Sequence, residues 1–207
     1  MLKAIIFDLD ETLIGSADAI LHFFRQMYDY IGLPFPEDQK RVFYTASEQG
    51  MLEKLIPDPE KQALARKFKR EVYDSDGHLD SLVLKPHAIE TLESCHGKYK
   101  LALATNRGYS TPQVLEHFGM DKYFEIALHA ASLKHSKPHP VIVETILKHL
   151  EIKPSECLLV GDSHVDVQTA SNGGVRCVIV GTNGGLSLGD YRIDDLSELA
   201  QLLAHLN

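Results

Sequence analysis

Groups able to handle an anion recur at four places along this chain. The run Asp8-Leu9-Asp10-Glu11-Thr12 follows a short aliphatic stretch and sets two carboxylates two residues apart. Where the backbone turns after a strand, both carboxylates can face one site. Thr105-Asn106 supplies a hydroxyl and an amide, each able to donate to phosphate oxygens. In Ser136-Lys137-Pro138 a lysine precedes a helix start, placing a point charge beside a helix N-terminus, a good setting for an anion. Gly161-Asp162-Ser163-His164-Val165-Asp166 begins with a residue that permits a tight strand exit. Its two aspartates, four apart, share a face if a helix starts there. Hard oxygen ligands with no cysteine nearby suit magnesium, which is held by one or two carboxylates, waters and substrate phosphate. Each place has a plainer alternative: a solvated acidic loop, a strand-to-loop exit, a surface lysine, or Asp162 as a helix cap.

The elements around these residues decide between the readings. Five short apolar runs, 4–7, 100–104, 124–129, 157–160 and 177–180, read as buried strands. Most are continuously apolar, the pattern of a parallel sheet covered on both faces. Glu125 interrupts the third, which points it toward a sheet edge. Helical patterns separate most of the strands. They run from Pro86 to about His96, from Thr111-Pro112 to Gly119, from Pro140 to Leu150 and from about Asp195 to His205, with proline near the starts and glycine at several ends. Alternation of this kind predicts an α/β, doubly wound (Rossmann-like) five-stranded parallel sheet. Ligands bind such sheets beyond the carboxyl ends of the strands. All four clusters fall at or just past such an end, in order along the chain, which leaves little room for the plainer alternatives.

One stretch breaks the alternation. Between the first strand and Pro86 no strand is evident. Ser16 can cap a helix with Ile20, Phe23, Phe24, Met27 and Ile31 on one face, ended by Gly32. A second helical segment runs from Pro36 to about Leu55, with an interruption expected at Gly50. A third begins at Asp58-Pro59 and sets Leu64, Phe68 and Val72 four apart. The expected organisation is a catalytic core of residues 1–14 and 85–207 with a helical cap, 15–84, inserted after the first strand.

The composition narrows the function classes. The 207 residues carry a formal charge of -8, which argues against a nonspecific nucleic-acid binder. An anionic substrate remains compatible, because a bound metal inverts the local field. Three cysteines, Cys95, Cys157 and Cys177, lack disulfide or zinc spacing and read as buried thiols. The N-terminus lacks the pattern of a signal peptide, and no apolar run has the ~18 residues of a membrane span, so a cytoplasmic location is expected. Of the eleven histidines, His164, His135 and His139 lie beside the clusters and read as surface or supporting groups.

Taken together, the clusters resemble the haloacid dehalogenase superfamily, whose pattern is DxDx[TV], then [ST], then K, then GDxxxD. Asp8, Asp10 and Thr12 match the first motif, Thr105 the second, Lys137 the third, and Asp162 and Asp166 the fourth. The resemblance spans essentially the whole chain. Its helical insertion is similar to the cap of the phosphoglycolate phosphatase-like branch. It implies a sheet ordered 5-4-1-2-3 with the first strand central. Two positions depart from the branch: most capped members have glycine where this chain has Glu11, and the branch often has Pro-Gly where this chain has Pro86-His87. Capless phosphatases of the superfamily do use Asp-Leu-Asp-Glu-Thr, so glutamate is compatible with that turn.

The resemblance implies a magnesium-dependent phosphatase acting on a small phosphate monoester. In it Asp8 is the nucleophile, Asp10 the general acid and base, and Lys137 neutralises charge. Leu9, Thr105, Asn106 and Lys137 bind phosphate. Asp8, the Asp10 carbonyl and Asp162 hold Mg2+, with Asp166 in support. Alternatives are a sugar-phosphate mutase, a pyrophosphatase or nucleotidase, and a non-catalytic regulatory module. Dehalogenation is disfavoured because Asp10 is present. The expected partner is a small phosphorylated metabolite, with no nucleic acid and no membrane, the chain being a monomer or small homo-oligomer. Arg25, Arg41 and Lys54 of the insertion are candidate substrate contacts.

Overall fold

A computed structural model describes residues 1–45, 48–73, 76–181 and 189–206. Along the chain run β1 (Ala4–Phe7), β2 (Ile14–Gly15), α1 (Ala17–Tyr30), α2 (Lys40–Thr45), α3 (Glu48–Leu55), α4 (Pro59–Phe68) and β3 (Val83–Leu84). There follow α5 (Ala88–Cys95), β4 (Lys100–Thr105), α6 (Thr111–His117), β5 (Ile126–His129), α7 (Val141–Leu150), β6 (Cys157–Gly161), α8 (His164–Gly173), β7 (Arg176–Val180), β8 (Tyr191–Ile193) and α9 (Leu199–Leu206). The chain divides into two compact units, one of residues 1–15 and 84–207 and one of residues 16–83.

The first unit is built on a six-stranded sheet ordered β5-β4-β1-β6-β7-β8, in which every pairing is parallel. The five expected strands take the expected order, with β5 at an edge. The sixth, β8, extends the sheet beyond β7 and was not expected, since three residues carry no readable period. The two-residue strands β2 and β3 pair in a ribbon of their own, also too short to leave a pattern.

Continuous apolarity in the strands has its expected cause. Ala4, Ile6, Ala102, Ala104, Leu159 and Ile179 are buried against Ile142, Val143 and Ile146 of α7 and Ala170 of α8. Residues of the other parity, including Ile5, Phe7, Leu101, Leu103, Leu158 and Val160, are buried as well. Both faces are therefore covered, and each such side chain contributes on the order of 1.5–3 kcal/mol by leaving water. Close packing of α7 on α8 depends on Gly173: a Cβ there would lie 2.6 Å from a methyl of Val143. All three cysteines are free and buried, and burial pushes the Cys157 and Cys177 thiols up to about 12.

The second unit is helical. Phe23, Met27, Tyr28 and Ile31 of the α1 face pack with Val42, Phe43, Met51, Leu52, Ile56 and Ala65. Ser16 occupies the position before α1, but its side chain makes no capping bond. Asp58 does cap α4, accepting from the Glu60 amide at 2.9 Å. Two details differ from the sequence reading. Gly50 lies within α3 rather than at a break. Leu64 is 41% exposed and Ala65 takes the buried position, while Phe68 and Val72 of the expected stripe do pack against the core. Among the described residues, no helix is long and apolar enough to cross a membrane.

Candidate active site

At the carboxyl end of β1 the chain folds back on itself. The Leu9 carbonyl accepts from the amides of Leu13 at 2.9 Å and Ile14 at 3.1 Å, and the Glu11 amide donates to the Ile14 carbonyl at 2.7 Å. Glu11 has φ 61°, the left-handed conformation that the turn demands. Its carboxylate pairs with Lys85 Nζ at 2.7 Å. This turn leaves Asp8 buried and Asp10 partly exposed.

From the fourth cluster come Asp162 and Asp166. Ser163 caps α8, and Asp166 answers it: Asp166 Oδ2 accepts from the Ser163 amide at 3.1 Å and from its hydroxyl at 2.6 Å. The cap is thus Ser163, not Asp162. Gly161 has a packing reason to be glycine, since a Cβ would sit 2.3 Å from Asp166 Cγ. Buried Lys137 ties the clusters together. Its Nζ donates to Asp8 Oδ1 at 2.7 Å and Asp166 Oδ1 at 2.6 Å.

The electrostatics follow from burial. Asp8 is held well above the ordinary carboxylate value, first by burial, then by the neighbouring Asp166 and Asp162 charges, against the pull of Lys137. Burial would lower Lys137, but the Asp166 and Asp8 carboxylates outweigh it and keep the ammonium charged. Asp8, Asp162 and Asp166 each offer an oxygen within 4.8 Å of the others. Hard oxygen donors carrying more negative charge than one lysine offsets fit a divalent cation such as Mg2+. Asp166 spends both oxygens on Lys137 and Ser163, so Asp8 and Asp162 are the better placed ligands and Asp166 orients the cluster. The Asp10 carboxylate is not in this cluster.

The second motif behaves differently from its sequence reading. The Asn106 carboxamide is committed to the backbone of Lys137, donating to its carbonyl at 3.0 Å and accepting from its amide at 2.8 Å. It therefore holds the lysine segment. Thr105 is buried, and its Oγ1 accepts from the Arg107 amide at 3.1 Å.

Residues 5–180 match the model of the haloacid dehalogenase-like hydrolases. A phosphoglycolate phosphatase of Vibrio parahaemolyticus is 31% identical, the match covering 98% of this chain and 96% of that protein. The chain belongs to the haloacid dehalogenase-like hydrolases. It is a phosphohydrolase of that family, in the phosphoglycolate phosphatase-like branch. A pyrophosphatase PpaX of Bacillus mycoides is 27% identical over 100% of this chain and 99% of its own length. The crystal structure of a subfamily IA hydrolase from Geobacter sulfurreducens aligns with TM-score 0.79 at 29% identity, covering 98% of this chain and 96% of that one.

For a hydrolase of this family, the sequence reading missed one neighbour of the site. Arg107 grips Asp10 with two bonds, Nη2 to Oδ1 at 2.6 Å and Nε to Oδ2 at 3.1 Å. The only hint in the sequence is a cation directly after Thr105-Asn106. Of the three candidate contacts in the insertion, Arg25 is engaged elsewhere: it bonds Glu37 at 3.2 Å and lies over the Phe35 ring. Lys54 is exposed at the end of α3, and the Arg41 side chain lies outside the described residues.

Proposed function

We propose that this hydrolase is a magnesium-dependent phosphatase that cleaves a small phosphate monoester by way of a phosphoaspartate at Asp8. The observation that carries the reading is the buried Asp8 carboxylate at the end of β1, held 2.7 Å from Lys137 with Asp162 and Asp166 beside it. An Asp8 oxygen forms a bond to phosphorus as the bond from phosphorus to the ester oxygen breaks. Asp10 gives its proton to the departing alkoxide. Water then attacks phosphorus, its proton passes to Asp10, and the Asp8 carboxylate is released with inorganic phosphate. Asp8 and Asp162 would hold Mg2+, which would supply the charge that lets a carboxylate approach an anionic phosphoryl group. Lys137, the Thr105 hydroxyl and the backbone amides of Leu9 and Asn106 bind the phosphoryl oxygens. Asp166 and the Asn106 side chain keep Lys137 in place.

Within the same reading, the helical unit is a cap that restricts the substrate to small esters, and the enzyme works in the cytoplasm on a phosphorylated metabolite. The names of its relatives make phosphoglycolate the first ester to try and inorganic pyrophosphate the main competitor. The test is phosphate release from a panel of esters and pyrophosphate, with magnesium and with excess chelator. Release from a two- to six-carbon ester that needs magnesium is the expected result. Full turnover in metal-free buffer would remove the metal assignment. Rapid isomerisation of a hexose phosphate with little free phosphate would make the enzyme a mutase.

A further inference from the structure

Asp10 stands on a turn, outside the buried cluster and a quarter exposed, where a carboxylate has several rotamers open to it. Acid–base chemistry needs one of them, because the proton must travel along a defined line to the ester oxygen. The Arg107 guanidinium restricts that choice. It is fully buried and planar, and it meets Asp10 with two adjacent nitrogens, so it sets both the position and the plane of the carboxylate. Arg107 is itself anchored. Its amide donates to Thr105 Oγ1 at 3.1 Å, its Nη1 donates to Ser110 Oγ at 3.4 Å, and its carbonyl accepts from the Ala130 amide at 3.0 Å. Those bonds refer the Asp10 carboxylate to the end of β4, the strand next to β1 that also presents Thr105.

We infer that Arg107 is the positioning residue for Asp10, fixing the carboxylate that protonates the leaving group and then accepts the proton of the attacking water. The inference rests on the proposed phosphatase reading. It adds a residue that none of the superfamily motifs contains. An ion pair needed only for folding would make a different prediction: losing it would reduce the amount of active enzyme and lower turnover of every substrate alike. A positioning residue makes turnover depend on how much the leaving group needs a proton.

The experiment compares an alkyl phosphate with nitrophenyl phosphate, whose leaving group needs none, in wild type, Asp10→Asn, Arg107→Lys and Arg107→Met. Each variant is judged by the ratio of its two kcat/KM values, which report the phosphorylation half alone and whose ratio does not change with the fraction of enzyme that is folded. Asp10→Asn should lose about 10²–10⁴-fold in kcat on the alkyl ester and release nitrophenolate in a burst as phosphorylated Asp8 accumulates. Arg107→Met should show the same signature with a loss of about 10²-fold, the usual cost of a misplaced catalytic group. Its KM for the alkyl ester should change little. Arg107→Lys keeps the charge but not the fork, and should fall between Met and wild type. Equal losses on both esters in the two Arg107 variants, with Asp10→Asn still discriminating, would overturn the inference and leave the phosphatase reading intact. If Asp10→Asn itself fails to discriminate, the acid–base assignment falls, and the role given to Arg107 falls with it.

Discussion

His87 and Glu11 share a backbone conformation, φ 61°, that L residues adopt at a cost of about 1–2 kcal/mol. These are the two positions where the family resemblance leads one to expect glycine, and the left-handed backbone is the physical reason for that expectation. The turns require a left-handed residue, and this chain meets the requirement with strained ones. Glu11 recovers part of the cost through its bond to Lys85 at 2.7 Å. His87 is exposed and precedes α5 without a side-chain capping bond. His87→Gly should therefore stabilise the protein. Relief of the strain, less the ~0.4–1 kcal/mol of chain entropy that glycine adds to the unfolded state, leaves a net gain of about 0.5–1 kcal/mol. Thermal melts should show a rise in Tm of about 1–4 °C. Glu11→Gly should gain less, since it gives up the lysine pair, and a larger gain there would mean that the pair contributes nothing.

At the scale of elements, the site depends on where a strand hands over to a helix. β6 ends at Gly161, α8 starts after Ser163, and Asp166 folds back so that its carboxylate occupies the space a Cβ would take on Gly161. Gly161→Ala must displace Asp166, and with it one of the two carboxylates that hold Lys137. Activity should fall by about 10²-fold or more, because a shift of an ångström at a charged site has that effect. The fold should survive, since the three atoms nearest to that Cβ all belong to the Asp166 side chain. Normal turnover of Gly161→Ala, measured as phosphate release, would mean that Asp166 does not orient the lysine. A similar handover at the end of β4 uses Asn106, whose carboxamide grips both backbone groups of Lys137.

For the molecule as a whole, the balance of charge links the site to stability. Burial and the neighbouring carboxylates raise Asp8 above its ordinary value of 3.8. The folded protein thus holds that proton more tightly than the unfolded chain does. The resulting stabilisation is present below pH 3.8 and lost as pH rises through the raised value, so above that value an ionised Asp8 weakens the metal-free fold. Asp8→Asn should accordingly melt at a higher temperature than wild type in the presence of chelator. Magnesium should reverse the order by binding the folded form. At a hundred times its Kd it adds about 2.7 kcal/mol, or roughly 5–10 °C in Tm, to wild type and much less to the variant. Equal shifts in the two proteins would show that Asp8 is not a ligand.

The local signals in this sequence determined a great deal. Continuous apolar runs marked β1, β4, β6 and β7 because burial on both faces leaves no polar alternation, while β5, at the sheet edge, is only partly buried. The order of Asp8, Thr105, Lys137 and Asp162 at or just past successive strand ends marked the candidate site because parallel strands bring those ends to one edge. The face of α1 was readable for the same reason of periodicity. What only the tertiary structure decided was pairing between distant residues. Arg107 reaches an aspartate 97 positions away, and Lys137 joins Asp8 to Asp166 across 129 and 29 positions. No local period encodes such contacts; they exist once β4 lies beside β1 and β6 on its other side. The Asn106 side chain was read as a phosphate donor because its type allows that, but the nearby Lys137 backbone takes both of its groups. β8 and the β2–β3 ribbon stayed hidden because two or three residues are strand only through the neighbour they pair with. Leu64 is exposed while Ala65 is buried because the helical unit's packing, not side-chain size, sets which face of α4 turns inward.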